Sequence, residues 1–184
     1  MTKTLYNHWR DVPENAWRWP SFSPAEIACR GTGKLMVDER AMDMLQALRT
    51  NLGKPMILNS AYRSPEHNRS VGGATRSKHM DGIAFDCRMD NHDPQVYMAA
   101  AREVGFKGIG EYARRGFCHV DARKTKTPVK WIGKGDVAFP LRAASGRFAP
   151  EVLMTELTGK PSLSHGPQGS LLFAFFAKMF GGKT

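Results

Sequence analysis

Cysteine is scarce in this sequence and follows no pattern. Cys29, Cys87 and Cys118 are scattered and odd in number, with no CxxC spacing. That excludes a disulfide framework and a structural zinc site of paired thiols; the three read as buried thiols acting as small hydrophobes. No stretch of 18 apolar residues occurs, which excludes a transmembrane span. The opening MTKTLYNHWRDVPENAW lacks an apolar core of signal-peptide length, so no secretory signal is read there. No internal repeat is visible. What remains is 184 residues, 41% hydrophobic and 24% charged: one globular domain, with or without a tail, and not a collagen, a coiled coil or a wholly disordered chain.

Acidic residues are also in deficit, and the deficit has a location. The formal net charge is +10. Residues 1–121 carry 17 Lys and Arg against 14 Asp and Glu, whereas residues 122–184 carry 10 against 3. A basic tail favours nucleic acid, anionic lipid or an anionic cell wall, and does not choose among them.

Residues 1–20, with Trp9, Trp17, Trp19, Pro13 and Pro20, read as an irregular aromatic arm. Ser23-Pro24-Ala25-Glu26 matches a capping box with proline at the first helical position. Asp38 opens the clearest helix, with Met42, Leu45, Leu48 and Leu52 at helical spacing and Gly53 as its stop. Residues 55–59 read as a buried strand and 82–87 as a second. Ser64-Pro65-Glu66 starts a short helix to Ser70, and Asp93-Pro94 caps another through Val104. Residues 108–112 and 117–121 read as a hairpin. After residue 122 the pattern fades: 123–130 is an exposed basic segment, with Trp131 able to dock on the domain. A linker covers 135–169, with a helical turn near 150–158, and an apolar run of ten occupies 171–180. The division is an arm at 1–20, a domain at 21–133 and a basic linker with a short apolar C-terminal segment at 134–184.

The stretch Ser77-x-His79-x-x-Gly82-x-Ala84-x-Asp86 carries the chemistry. Asp86 shares a strand face with small Ala84, and His79 sits in the loop leading in. Later come Phe117-Cys118-His119-Val120-Asp121, where His119 and Asp121 alternate to one face. Two histidines and a carboxylate are a usual ligand set for a catalytic zinc with its fourth position open. Such a zinc lowers the pKa of a water and polarises a carbonyl, which suits amide hydrolysis. Scattered His and Asp are also common as structural residues.

These residues resemble the zinc D-alanyl-D-alanine carboxypeptidase family, which shares its site with hedgehog-like domains. The resemblance covers roughly residues 20–121 and rests on several pieces in family order. They are Phe22-Ser23-Pro24-Ala25-Glu26, the helix at 38–49, Ser60-Ala61-Tyr62-Arg63-Ser64, His67-Asn68, Val71-Gly72-Gly73-Ala74, residues 77–86 and residues 117–121. It implies an α+β fold with a small antiparallel sheet flanked by helices, and zinc (Zn2+) on His79, Asp86 and His119. It also implies an Arg63 that faces the substrate, binding a carboxylate or stabilising an oxyanion. Ser77 fits a bond near the metal or a plain turn equally well.

The general base is open. Relatives often carry an acidic residue or a histidine a few positions before the last ligand, but here Gly116 and Phe117 stand there. Asp121, on the face of His119, and Glu111, returned by the hairpin, are equal candidates. His67 reads as structural, and His8, His92 and His165 carry no pattern.

The expected function is a zinc peptidase hydrolysing peptidoglycan stem or cross-link peptides next to a D-amino acid. Without an export signal, the expectation is a phage or phage-derived endolysin, made in the cytoplasm and brought to the wall by holin-type release or particle delivery. The basic tail would suit an anionic envelope surface. The rivals are a non-catalytic, metal-binding component of a phage particle and a nucleic-acid-binding protein. The second lacks aromatics interleaved with its lysines and any recognition motif, so no nucleic acid is expected.

Overall fold

Four short polar side chains decide where the helices begin. In the computed structural model, which describes residues 2–141, Ser23 closes a capping box with Glu26 and starts α1 (Pro24–Ile27). The Asp38 side chain accepts from Ala41 N at the start of α2 (Glu39–Leu52). Ser64 caps α3 (Pro65–Ser70) and Asp93 caps α4 (Pro94–Glu103). Proline opens three of the four, at a position where its missing N–H costs no helical bond. α2 ends at Gly53, whose φ of 63° is a left-handed stop that glycine adopts without strain.

The strands are β1 (Lys3–Tyr6), β2 (Leu35–Asp38), β3 (Leu58–Ser60), β4 (Ala84–Arg88), β5 (Gly108–Tyr112), β6 (Phe117–Asp121) and β7 (Val129–Ile132). β1 and β2 pair antiparallel as a separate ribbon, and the other five form a sheet in the order β3-β4-β6-β5-β7. The fold is α+β, as the resemblance implied. Its main sheet is not wholly antiparallel, because β7 runs parallel to β5.

Other departures from expectation are local. The arm at 1–20 is not wholly irregular, since residues 3–6 pair with β2 and two 3-10 turns follow. The basic segment read as exposed ends in a strand. Ordered structure continues past residue 133: the backbone N–H of Phe139 donates to Glu111 Oε2 at 3.0 Å. The turn expected near 150–158, the run at 171–180, His165 and most of the 134–184 segment lie outside the described residues.

Register assigns the two faces of the sheet, because residues directly opposite one another point to the same side. One face carries Phe85, Cys87, Ile109, Cys118 and Val120, all buried. They pack with Leu45 and Leu48 of α2 and with Tyr97, Met98 and Ala101 of α4. Each of the buried Phe, Ile, Val, Leu and Met side chains among them contributes on the order of 1.5–3 kcal/mol from lost water contact. The three cysteines are free and buried. Burial pushes the Cys87 thiol up to about 12, as expected of an inert small hydrophobe; Cys29 departs from that reading, because burial acts to raise its thiol but hydrogen bonds with Ser64 and Thr32 bring it below its ordinary value. The other face holds a row of mutually opposed residues: Asp86 faces His119, His119 faces Gly110, and Gly110 faces Trp131. That row crosses β4, β6, β5 and β7 in order.

Candidate metal centre

Three side chains meet on the open face. Asp86 and His119 stand opposite each other on β4 and β6, and His79 enters from the loop before β4. Candidate ligand atoms of the three lie within 4.8 Å of one another, and all three residues are buried. His79 Nε2 is 3.2 Å from His119 Nδ1 and 3.2 Å from Asp86 Oδ2, and His119 Nδ1 is 2.8 Å from Asp86 Oδ1. Ligands at zinc-bond lengths in a tetrahedron are about 3.3 Å apart, so the donor set fits that ion.

The outer nitrogens of both imidazoles fix which lone pairs face inward. His79 Nδ1–H donates to the Ala61 carbonyl at 2.6 Å, which leaves Nε2 as the acceptor. His119 Nε2–H donates to Asp121 Oδ2 at 3.2 Å, which leaves Nδ1. Two lone pairs and a carboxylate then converge on one point, an arrangement that repels itself until a proton or a metal cation occupies it. The titration behaviour follows. Burial works to raise the Asp86 carboxyl, but in the metal-free protein protons on the histidine nitrogens that face it supply the charge and hydrogen bonds that hold it well below the usual range. Burial works to lower His119, but Asp121 and Asp86 raise it to about 9.

Asp121 sits behind His119, with no exposed surface. Its Oδ1 accepts from Arg123 N at 3.1 Å and Arg123 Nε at 2.7 Å, and its Oδ2 from Arg123 Nη2 at 2.6 Å besides His119. Burial works against its charge, yet Arg123 and His119 keep it ionised. Gly108 lies opposite Asp121 across β5 and β6, and a methyl there would overlap the Asp121 carboxylate.

Arg63 follows β3 and flanks the cluster from the other side. Its Nη2 bonds Ser60 Oγ at 3.0 Å and lies 3.7 Å from Asp86 Oδ2, and its Nη1 donates to Asn68 Oδ1 at 3.3 Å. Asn68 is held in turn by the Ala74 carbonyl, and Gly73 leaves room for both, since a Cβ there would meet Arg63 Nη1 at 3.1 Å. Ser77 contributes backbone turns: its N–H donates to Ala74 O and its carbonyl accepts from Met80 N.

Glu111 does not join the cluster. It lies opposite Cys118, on the core face. Its Oε1 pairs with Lys130 at 2.6 Å and its Oε2 accepts from Phe139 N. The hairpin forms as expected, but strand alternation turns the carboxylate away. Two residues beside the centre were missed. Arg123 was detectable from its spacing of two from Asp121 along an extended chain. Trp131, in sequence no more than a ring able to dock on the domain, packs on His119 at 5.3 Å between ring centroids.

Residues 20–121 match the sequence model of the family described as peptidase M15. The chain is 41% identical over 66 residues to a zinc D-Ala-D-Ala carboxypeptidase of Streptomyces albus G, covering 35% of this chain and 26% of that protein. It is 35% identical over 92 residues to the peptidoglycan L,D-endopeptidase MepK of Escherichia coli (strain K12), covering 46% of this chain and 50% of that protein. The aligned part thus spans half or less of these curated relatives.

Proposed function

The chain belongs to the peptidase M15 family, and on that premise we propose that it is a zinc peptidase hydrolysing peptidoglycan peptides next to a D-amino acid. The observation that carries this reading is the convergence of His79 Nε2, His119 Nδ1 and Asp86 at zinc-like separations. A zinc ion held there supplies Lewis acidity to a scissile carbonyl and lowers the pKa of a water.

The protein's own groups do the rest. Arg63, fixed by Ser60 and Asn68, holds its guanidinium beside Asp86, and so receives a substrate carboxylate or a developing oxyanion. Asp121 is a positioning residue: its oxygens are occupied by Arg123 and His119, and it keeps the proton on His119 Nε2. A metal-ligating histidine commonly donates its other N–H to a carboxylate in this way. Glu111 takes no part. The two named relatives, one a carboxypeptidase and one an endopeptidase, support peptidoglycan as the substrate. The basic excess of residues 122–184 supports a supplementary, salt-sensitive attraction to an anionic envelope. The alternative of a non-catalytic particle component is not favoured.

The test is mass spectrometry of purified sacculi digested with the protein, with added zinc or with a chelator, alongside His119→Ala. Release of terminal D-alanine identifies a carboxypeptidase, and cleaved stem or cross-link peptides identify an endopeptidase. Zinc binding with no released product would refute the peptidase reading.

A further inference from the structure

We infer that Trp131 forms the wall of a substrate subsite, against which the peptide residues on the N-terminal side of the scissile bond lie. The inference rests on the peptidase reading and adds a direction to it. Trp131 stands on β7, beyond the stretch that matches the family. It is held from several sides. Its ring lies over Gly110, where a Cβ would come within 2.7 Å of the indole. Its Nε1–H donates to the Tyr112 hydroxyl at 3.2 Å, and the Arg123 guanidinium lies 5.1 Å from its ring centroid. A further edge touches His119. The residue is nevertheless only partly buried. An immobilised aromatic ring at the rim of a polar centre offers apolar contact at little entropic cost to a bound chain.

Strand order supplies the direction. Across the open face the sequence of groups is Arg63 after β3, Asp86 on β4, His119 on β6, bare Gly110 on β5 and Trp131 on β7. The metal centre thus has a cation on one flank and an indole on the other. A peptide lying across the strands with its carboxylate-bearing end toward Arg63 places the residues before the scissile bond over Trp131. The planar amides and alkyl portions of those residues suit an aromatic wall.

The test is a ladder of N-acetylated peptides ending in D-Ala-D-Ala and lengthened stepwise toward the N-terminus, with wild type, Trp131→Ala and Trp131→Phe. Two readouts are taken: kcat/KM of the zinc-loaded proteins, and calorimetric binding of the same ladder with a non-cleavable terminal linkage. Chelator competition for zinc and thermal melting report whether the centre and the fold survive. The expected result is a gain with length in wild type that Trp131→Ala loses by about 10–100-fold on the long peptides, mainly through KM. The shortest peptide and zinc affinity change by about threefold or less, and Trp131→Phe recovers part of the loss. A loss equal at all lengths, or one that tracks zinc, would make Trp131 a prop for His119 and overturn the subsite. A wild type that cleaves nothing refutes the peptidase reading, while the binding ladder still decides this one: no length-dependent gain, or a gain that Trp131→Ala keeps, overturns it.

Discussion

Two carboxylates equally plausible from sequence behave oppositely in the structure, and each implies its own experiment. Glu111 is buried on the core face and tied to Lys130 and Phe139 N. Glu111→Gln weakens the ion pair and keeps the shape, so thermal stability falls by about 1–3 kcal/mol while kcat of the folded protein stays within about twofold. A 100-fold loss of kcat with zinc still bound would return Glu111 to the chemistry. Asp121 is bound to Arg123 and His119. Asp121→Asn removes the charge that holds the proton on His119 Nε2, and zinc affinity falls by about 10–100-fold, as for other residues that orient a metal-bound histidine. Chelator competition measures it. If zinc affinity is untouched and only kcat falls, Asp121 works on the substrate or its water instead of through His119.

At the scale of elements, β5 acts as a bed. Gly108 and Gly110 present no side chain to the open face, and Asp121 and Trp131 lie over them. Gly108→Ala puts a methyl into the Asp121 carboxylate, costing about 1–3 kcal/mol of stability and weakening zinc binding with it. Gly116 is the contrast. It sits at φ 69° with open space around it, so Gly116→Ala costs about 1 kcal/mol of backbone strain and leaves zinc affinity alone. Equal loss of zinc affinity in both variants would mean that β5 is not the bed. The same strands show what could be read in advance. Caps and apolar spacing made α2, α3 and α4 legible, and the alternation of His119 with Asp121 made β6 legible. Phe117–Asp121 and Gly108–Tyr112 pair as the hairpin reading requires. β7 was not legible: its Val129–Ile132 is mostly exposed, and its partner β5 lies far back in sequence and runs parallel. β1 failed for a similar reason, since Lys3–Tyr6 acquires strand character only by pairing with Leu35–Asp38. The side chains of the proposed metal centre were nameable because they lie within motifs, and the structure brings them together, whereas the face that Glu111 takes depends on a register no motif states.

For the whole molecule, the proposed centre would link protons, metal and folding. In the metal-free protein His119 is raised from 6.5 to about 9. Its contribution to stability is therefore fully present below about pH 6.5 and is lost as pH rises through about 9. Asp86 and Asp121 are held below their ordinary 3.8. Their contribution is present above about pH 4 and disappears as acid reaches the lowered values. The metal-free protein should accordingly melt highest between about pH 4 and 6.5 and lose stability on both sides of that window. Zinc cancels the alkaline decline, because it needs the lone pair of His119 Nδ1 and competes with the proton there. Zinc affinity should rise about tenfold per pH unit from 6.5 toward 9, with about one proton released per ion bound. The gain in stability from a fixed excess of zinc grows with that affinity. Thermal melts between pH 5.5 and 8.5, with zinc or with chelator, compare the two limbs directly. A zinc-induced shift that is the same at both ends of that range would show that no proton leaves when the ion binds, and would separate His119 from the metal.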